Sequence, residues 1–172
     1  MPALTPPSNL RPADLRPATQ VEYDIDFKLH PELYRYTSDE RGVFKVQPYK
    51  DELLPLWSFK TVEAAHASIE QLWAKYEQYR ADEDFVGMDM TRKYLQMGFT
   101  RAMRYAKYPG GRKRNTDGTL REPQVWADPE KREAAVLFRQ QLEALRADPR
   151  YLELKDAHLA QFNATHSPMP GR

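Results

Sequence analysis

Two groups of side chains in this sequence are placed to do chemistry: a few spaced carboxylates and one long run of cations. Asp24 and Asp26 share one face if residues 23–27 form a strand, and Asp84 and Asp89 flank Gly87 where a helical pattern starts. Four convergent carboxylates would hold a magnesium ion for metal-assisted phosphoryl transfer. The plainer role is a helix N-cap for Asp84 and solvent-facing strand positions for Asp24 and Asp26. Histidine offers less, because His30, His66, His158 and His166 are isolated and no two stand at metal-ligand spacing. Cysteine is absent, which excludes disulfides, thiol nucleophiles and thiolate metal sites. Gly110-Gly111-Arg112-Lys113 has the composition of a phosphate loop, but it lacks the Walker glycine spacing and a Ser or Thr after the lysine. Glu153-Leu154-Lys155 has the order of a nuclease signature, yet it falls in a helical pattern. No residue is assigned as catalytic, and no metal or other cofactor is called for; the balance favours binding over catalysis.

The cations carry a stronger signal. No acidic residue occurs between Asp89 and Asp117, while that interval holds Arg92, Lys93, Arg101, Arg104, Lys107, Arg112, Lys113 and Arg114. The other 18 basic residues face 25 acidic ones, so a formal net charge of +1 conceals a polarised chain. At about 100° per residue, residues 84–108 form a helix with two apolar arcs. Met88, Leu95, Phe99, Ala102 and Ala106 make one, and Met90, Tyr94, Met97 and Tyr105 the other. Arg92, Lys93, Gln96, Thr100, Arg104 and Lys107 fill the remaining third as a stripe without a negative charge, and Arg101 falls within the second apolar arc. The stripe runs into Gly110-Gly111-Arg112-Lys113-Arg114, with Tyr108 beside it as a stacking surface. Such an arrangement predicts sequence-tolerant nucleic-acid binding, because cations neutralise phosphates and rings receive unpaired bases. The alternative is a protein-interaction module whose basic face docks an acidic partner. Against both stands helix 61–84, rich in Glu63, Glu70, Glu77, Asp82, Glu83 and Asp84, which would neutralise the stripe if packed beside it.

The elements that must position these groups can be read from periodicity and caps. Val21–Phe27 alternates as a short strand, and Leu33–Tyr36 with Val43–Val46 brackets a polar turn as a hairpin. Pro48–Phe59 reads as an irregular apolar connection. Thr61 caps a helix carrying Ala65, Ile69, Leu72, Trp73, Tyr76 and Tyr79, and Pro109-Gly110-Gly111 ends the next one. Asp128-Pro129 and Asp148-Pro149 each pair an N-cap with proline at the first helical position. The third helix buries Ala134, Leu137, Phe138, Leu142 and Leu145, and the fourth buries Leu152, Leu154, Leu159 and Phe162. Gly87 and Gly98 let a neighbour approach closely. The expected fold is therefore α+β and mainly helical, with a small antiparallel hairpin sheet near the N-terminus packed on about four helices.

Several segments resemble a known family: His30-Pro-Glu-Leu-Tyr-Arg35, Gln47-Pro-Tyr-Lys50, Leu54-Pro-Leu-Trp57 and, above all, residues 84–107. The family consists of small, uncharacterised bacterial and phage proteins, sometimes labelled cytoplasmic and catalogued as a domain of unknown function. The resemblance spans about residues 22–162 and implies one domain with added tails, and it implies no activity, cofactor or site residue. The expected organisation is a disordered Pro-rich arm over 1–20, a single globular domain over 21–163 and a frayed tail over 164–172. Prolines 2, 6, 7, 12 and 17 interrupt any signal-peptide core, and no run reaches ~18 apolar residues. The expected location is the cytoplasm, away from membranes, with nucleic acid or an acidic protein as partner and the oligomeric state open.

Overall fold

A computed structural model describes residues 24–124 and 127–166. Its helices are α1 (Tyr49–Leu53), α2 (Val62–Ala81), α3 (Phe85–Lys107), α4 (Pro129–Arg146) and α5 (Pro149–His166). The capping chemistry explains where they start. Thr61 Oγ1 accepts the Ala64 amide, Asp84 the Gly87 amide and Asp128 the Lys131 amide, at 3.0, 3.1 and 3.0 Å. Each fills one of the orphan donors that every helix N-terminus exposes. Among the described residues no helix is long and apolar enough to cross a membrane.

The chain is organised around α3. Every residue from Phe85 to Leu95 is buried, so the first three turns of this helix are enclosed on all sides. Its remaining turns keep one face open. α2 and α4 pack against it at two glycines: a Cβ at Gly87 would lie 2.4 Å from Tyr79 Cγ, and one at Gly98 would lie 2.3 Å from Phe138 Cδ1. Alanine at a helical glycine normally gains about 1 kcal/mol, but overpacking a close-packed ring costs about 1–3 kcal/mol. Gly98→Ala is therefore expected to lower stability by up to about 2 kcal/mol, read as a reduced urea midpoint with an unchanged m-value.

Tyrosine dominates this core. Tyr34, Tyr49, Tyr76, Tyr79, Tyr94 and Tyr151 are buried, and each phenol donates to an acceptor, five of them to carboxylates. A buried hydroxyl left unpaired would be costly, so the acids on neighbouring elements are what make these rings tolerable inside. Tyr76 donates to Asp148 at 2.5 Å, where Arg80 Nε (2.8 Å) and the Arg150 amide (3.0 Å) also converge. Burial alone would raise the Asp148 pKa, but these donors outweigh it and hold the carboxyl below its ordinary value. A depressed folded pKa means stability that is present above the unfolded carboxylate range and lost as pH falls through the folded value. Wild type is thus expected to weaken in urea as pH drops below about 4, and Asp148→Asn to flatten that acid limb.

No sheet is present among the described residues, which are helical apart from turns and isolated bridges, so the α+β expectation is corrected. Residues 33–46 do not form a hairpin. Tyr34, Val43 and Val46 are buried, but Val43 and Val46 share a face at a spacing of three across successive turns rather than the two of a strand, and the backbone between Tyr34 and Val43 bonds to α3 side chains. Thr37 O, Ser38 O and Asp39 O accept from Arg92, Arg41 O accepts from Lys93, and Val43 O accepts from the Tyr94 hydroxyl. The helix stands where a partner strand would have been. The expected strand likewise reduces to a single parallel bridge between Asp26 and Gln47, and its residues 21–23 lie outside the described part.

Two smaller expectations change. The 48–59 connection contains α1 and a 3-10 turn at Leu54–Leu56. On α5 Leu154 packs against the core as expected, beside buried Tyr151 and the stacked His158 and Phe162, while Leu152 is 42 % exposed. His158 stacks on Phe85 and lies 2.6 Å from Tyr34 O, so a polar ring occupies the position where leucine was expected to pack. The arm over 1–20 lies outside the described residues, as do 167–172; α5 continues to His166, into the segment expected to fray.

Candidate functional site

The structure splits the run of cations in two. Arg92 and Lys93, expected on the surface, are each 1 % exposed. Asp89 receives Arg92 Nε at 2.9 Å and Nη2 at 3.0 Å, together with the hydroxyls of Tyr34 and Tyr151. With Thr37 O, Asp39 O and Gln96 Oε1 as further acceptors, each of the five N–H donors of Arg92 has a partner. Burial works against the guanidinium charge, but Asp89 beside it prevails and raises the Arg92 pKa above its ordinary value. Tyr34 and Tyr151 shift upward as well, first through burial and then through the Asp89 charge. Lys93 Nζ bonds Thr37 Oγ1 at 3.1 Å and Arg41 O at 2.6 Å, and it sits over the Tyr34 ring. These two cations pin residues 34–41 onto α3 and present nothing to an external ligand.

The C-terminal half is different. Arg104, Lys107, Arg112, Lys113 and Arg114 are exposed, and none forms an ion pair among the described residues. α2 does not quench them. Its bases pair elsewhere, Lys75 with Glu52 and Arg80 with Asp148, the nearby Glu83 pairs with Arg150, and Glu63, Glu70 and Glu77 form no ion pair among the described residues. Asp84 is occupied as the α3 cap and as acceptor for Tyr49.

After α3 the chain projects as a narrow tongue, residues 108–124. Its base is closed by the Gln124 amide on Lys107 O at 2.8 Å, and its middle by the Arg121 amide on Lys113 O at 2.8 Å. Arg114 and Leu120 form one antiparallel bridge, and the tip turns through Asn115–Gly118, where Gly118 has φ +87°. Arg121 braces the base by donating to Pro109 O and Arg112 O at 2.9 and 3.0 Å. Arg112, Arg114 and Arg121 line one open cleft of about 610 Å³ with Gly110 and Asn115. Three arginines around one recess make it electropositive.

Arg101 is half-buried, with its guanidinium carbon 5.5 Å from the Phe44 ring centre and 5.7 Å from that of Trp57. Tyr108 caps α3 and is half-buried, and it makes no ring contact among the described residues. Arg121 was missed in the sequence because it lies beyond Asp117, outside the acid-free interval. Lys131 left a trace: a cation in the first turn of a helix opposes the dipole. The structure shows why it is tolerated there, since its ammonium bonds Phe59 O and Lys60 O.

The carboxylates of the phosphoryl-transfer alternative do not come together. Asp26 receives the Lys28 and Leu29 amides in a local turn, Asp84 caps α3, and Asp89 is enclosed by Tyr34, Tyr151 and Arg92. Among the described residues no three His, Asp or Glu side chains are grouped to hold a metal ion.

Comparison with curated proteins and with solved structures returns no match. A family model does match, and it takes in the buried Asp89–Arg92–Lys93 clamp, the tongue and most of α5: the chain belongs, over residues 17–161, to the family described as Domain of unknown function (DUF4385).

Proposed function

We propose that this cytoplasmic protein binds nucleic acid with little sequence preference, through Arg104, Lys107, Arg112, Lys113, Arg114 and Arg121. One observation carries the reading: five of these cations are exposed without an ion pair among the described residues, at one end of α3 and along the tongue. Clustered, unquenched cations on an ordered projection suit phosphate tracking, in which counterion release supplies the affinity. Titrating a labelled oligonucleotide at increasing salt is expected to give a log–log slope of about −3 to −5, for four to six phosphates engaged. Absence of binding at low salt would remove the proposal. Leu120, 66 % exposed beside the bridge, favours a second reading in which an acidic protein covers the tongue. Leu120→Ser separates them, leaving oligonucleotide affinity unchanged under the first reading and weakening the partner under the second.

A further inference from the structure

Beside the tongue runs a continuous series of rings and cations. The Arg101 guanidinium lies between Phe44 and Trp57, and Trp57 meets Phe59 edge to face at 5.2 Å. Phe59 meets Tyr105 at 5.6 Å, with the Lys131 ammonium 5.2 Å from the first ring and 5.9 Å from the second. Tyr105 in turn abuts Gly111, where a Cβ would lie 2.8 Å from its Cζ, so the series ends against the base of the tongue. Its terminal rings are open: Phe44 is 38 % and Tyr105 39 % exposed.

Arg101 is the informative member. Two rings flank its guanidinium carbon, yet among the described residues its guanidinium donates no hydrogen bond and meets no carboxylate, and its nitrogens are not sealed from solvent. A stacked guanidinium keeps its N–H groups at the edge of the plane, which is the geometry that receives a phosphate. Compare Arg92 nine residues earlier, whose donors are all taken up by the protein itself. We propose that the nucleic acid held by the tongue is single-stranded, its bases stacking on Phe44 and Tyr105 while Arg101 takes the phosphate between them. The proposal rests on the reading above and narrows it. In a duplex the base faces are already stacked and cannot reach two half-recessed rings, whereas unpaired bases can.

The test is anisotropy of labelled (dT)20, (U)20 and a mixed-sequence 20-base-pair duplex, with poly-glutamate as a competitor. Wild type is expected to bind at least one single strand about tenfold or more tighter than the duplex. Stacking is worth roughly five- to 150-fold per ring, so Phe44→Leu with Tyr105→Leu should cost at least that for single strands and leave the duplex unchanged. Arg101→Lys, which keeps the charge but loses the planar edge, should also weaken single strands alone. Duplex binding as tight as single-strand binding in wild type overturns the proposal, whatever the variants do, and leaves phosphate tracking intact. Poly-glutamate competing as well as (dT)20 overturns it too, because it has no bases to stack. No binding to any nucleic acid removes the parent reading and this one together.

Discussion

Arg92→Ala is expected to destabilise the protein by about 3–5 kcal/mol, enough to leave a domain of this size close to unfolding at 37 °C. The reason is asymmetry. The substitution leaves Asp89, fully buried, with two phenol donors and no countercharge, and it strips Thr37 O and Asp39 O of their donor. Buried charges that lose their partner cost far more than the intact pair contributes. Arg92→Lys should recover little, since an ammonium cannot reproduce a bidentate grip on Asp89 while reaching four further acceptors. Arg104→Ala, on the same stripe but exposed, should change stability by less than about 0.5 kcal/mol. Urea unfolding of the three variants checks the contrast, and equal losses at 92 and 104 would contradict the division of the helix into an inner and an outer half.

The second large effect concerns the tongue. Reversing Arg112, Lys113 and Arg114 together to glutamate should cut oligonucleotide affinity on the order of a hundredfold or more near 0.1 M salt. It should also make the salt dependence shallower, by about one unit of log–log slope for each phosphate that is no longer neutralised. Global melting should change little, because these side chains are exposed and only Arg114 bonds within the tongue, to Gly118 O at 2.8 Å, while its closure otherwise relies on backbone bonds and on Arg121. Affinity that falls while the slope stays constant would indicate a global disturbance, and unchanged affinity would show that the tongue does not hold the ligand.

The helices were legible because their starts are written in local chemistry. Thr61, Asp84 and Asp128 cap where a polar side chain precedes an apolar repeat, and Gly87 and Gly98 mark the close approaches of Tyr79 and Phe138. What could not be read were partners distant in the chain. The polar stripe of α3 looks solvent-facing from residues 84–108 alone, and the 33–46 segment looks like a hairpin from its aromatic and β-branched runs around a polar turn alone. Both impressions fail for one reason, that each satisfies the other: Arg92 and Lys93 supply the donors that a second strand would have given. On α5, Leu152 had the apolarity of a core residue, but rotation about the axis placed Tyr151 and His158 inward instead. Of the candidate site, Arg104, Lys107 and the Arg112–Arg114 triplet were visible as an acid-free interval. The cation–ring series was not, since its members come from positions 44, 57, 59, 101, 105 and 131.

Because the carbonyls of residues 37–41 are held by ions rooted in a helix, that segment cannot peel away by itself. Lifting it would strand a guanidinium and an ammonium in a dry interior. The segment should therefore resist protease cleavage until the whole molecule opens, whereas the amides of the tongue, held by a few backbone bonds, should exchange with deuterium through local excursions. The protein thus joins a rigid platform to a yielding arm along a single helix, and a bound strand would be registered first as slowed exchange in residues 108–124.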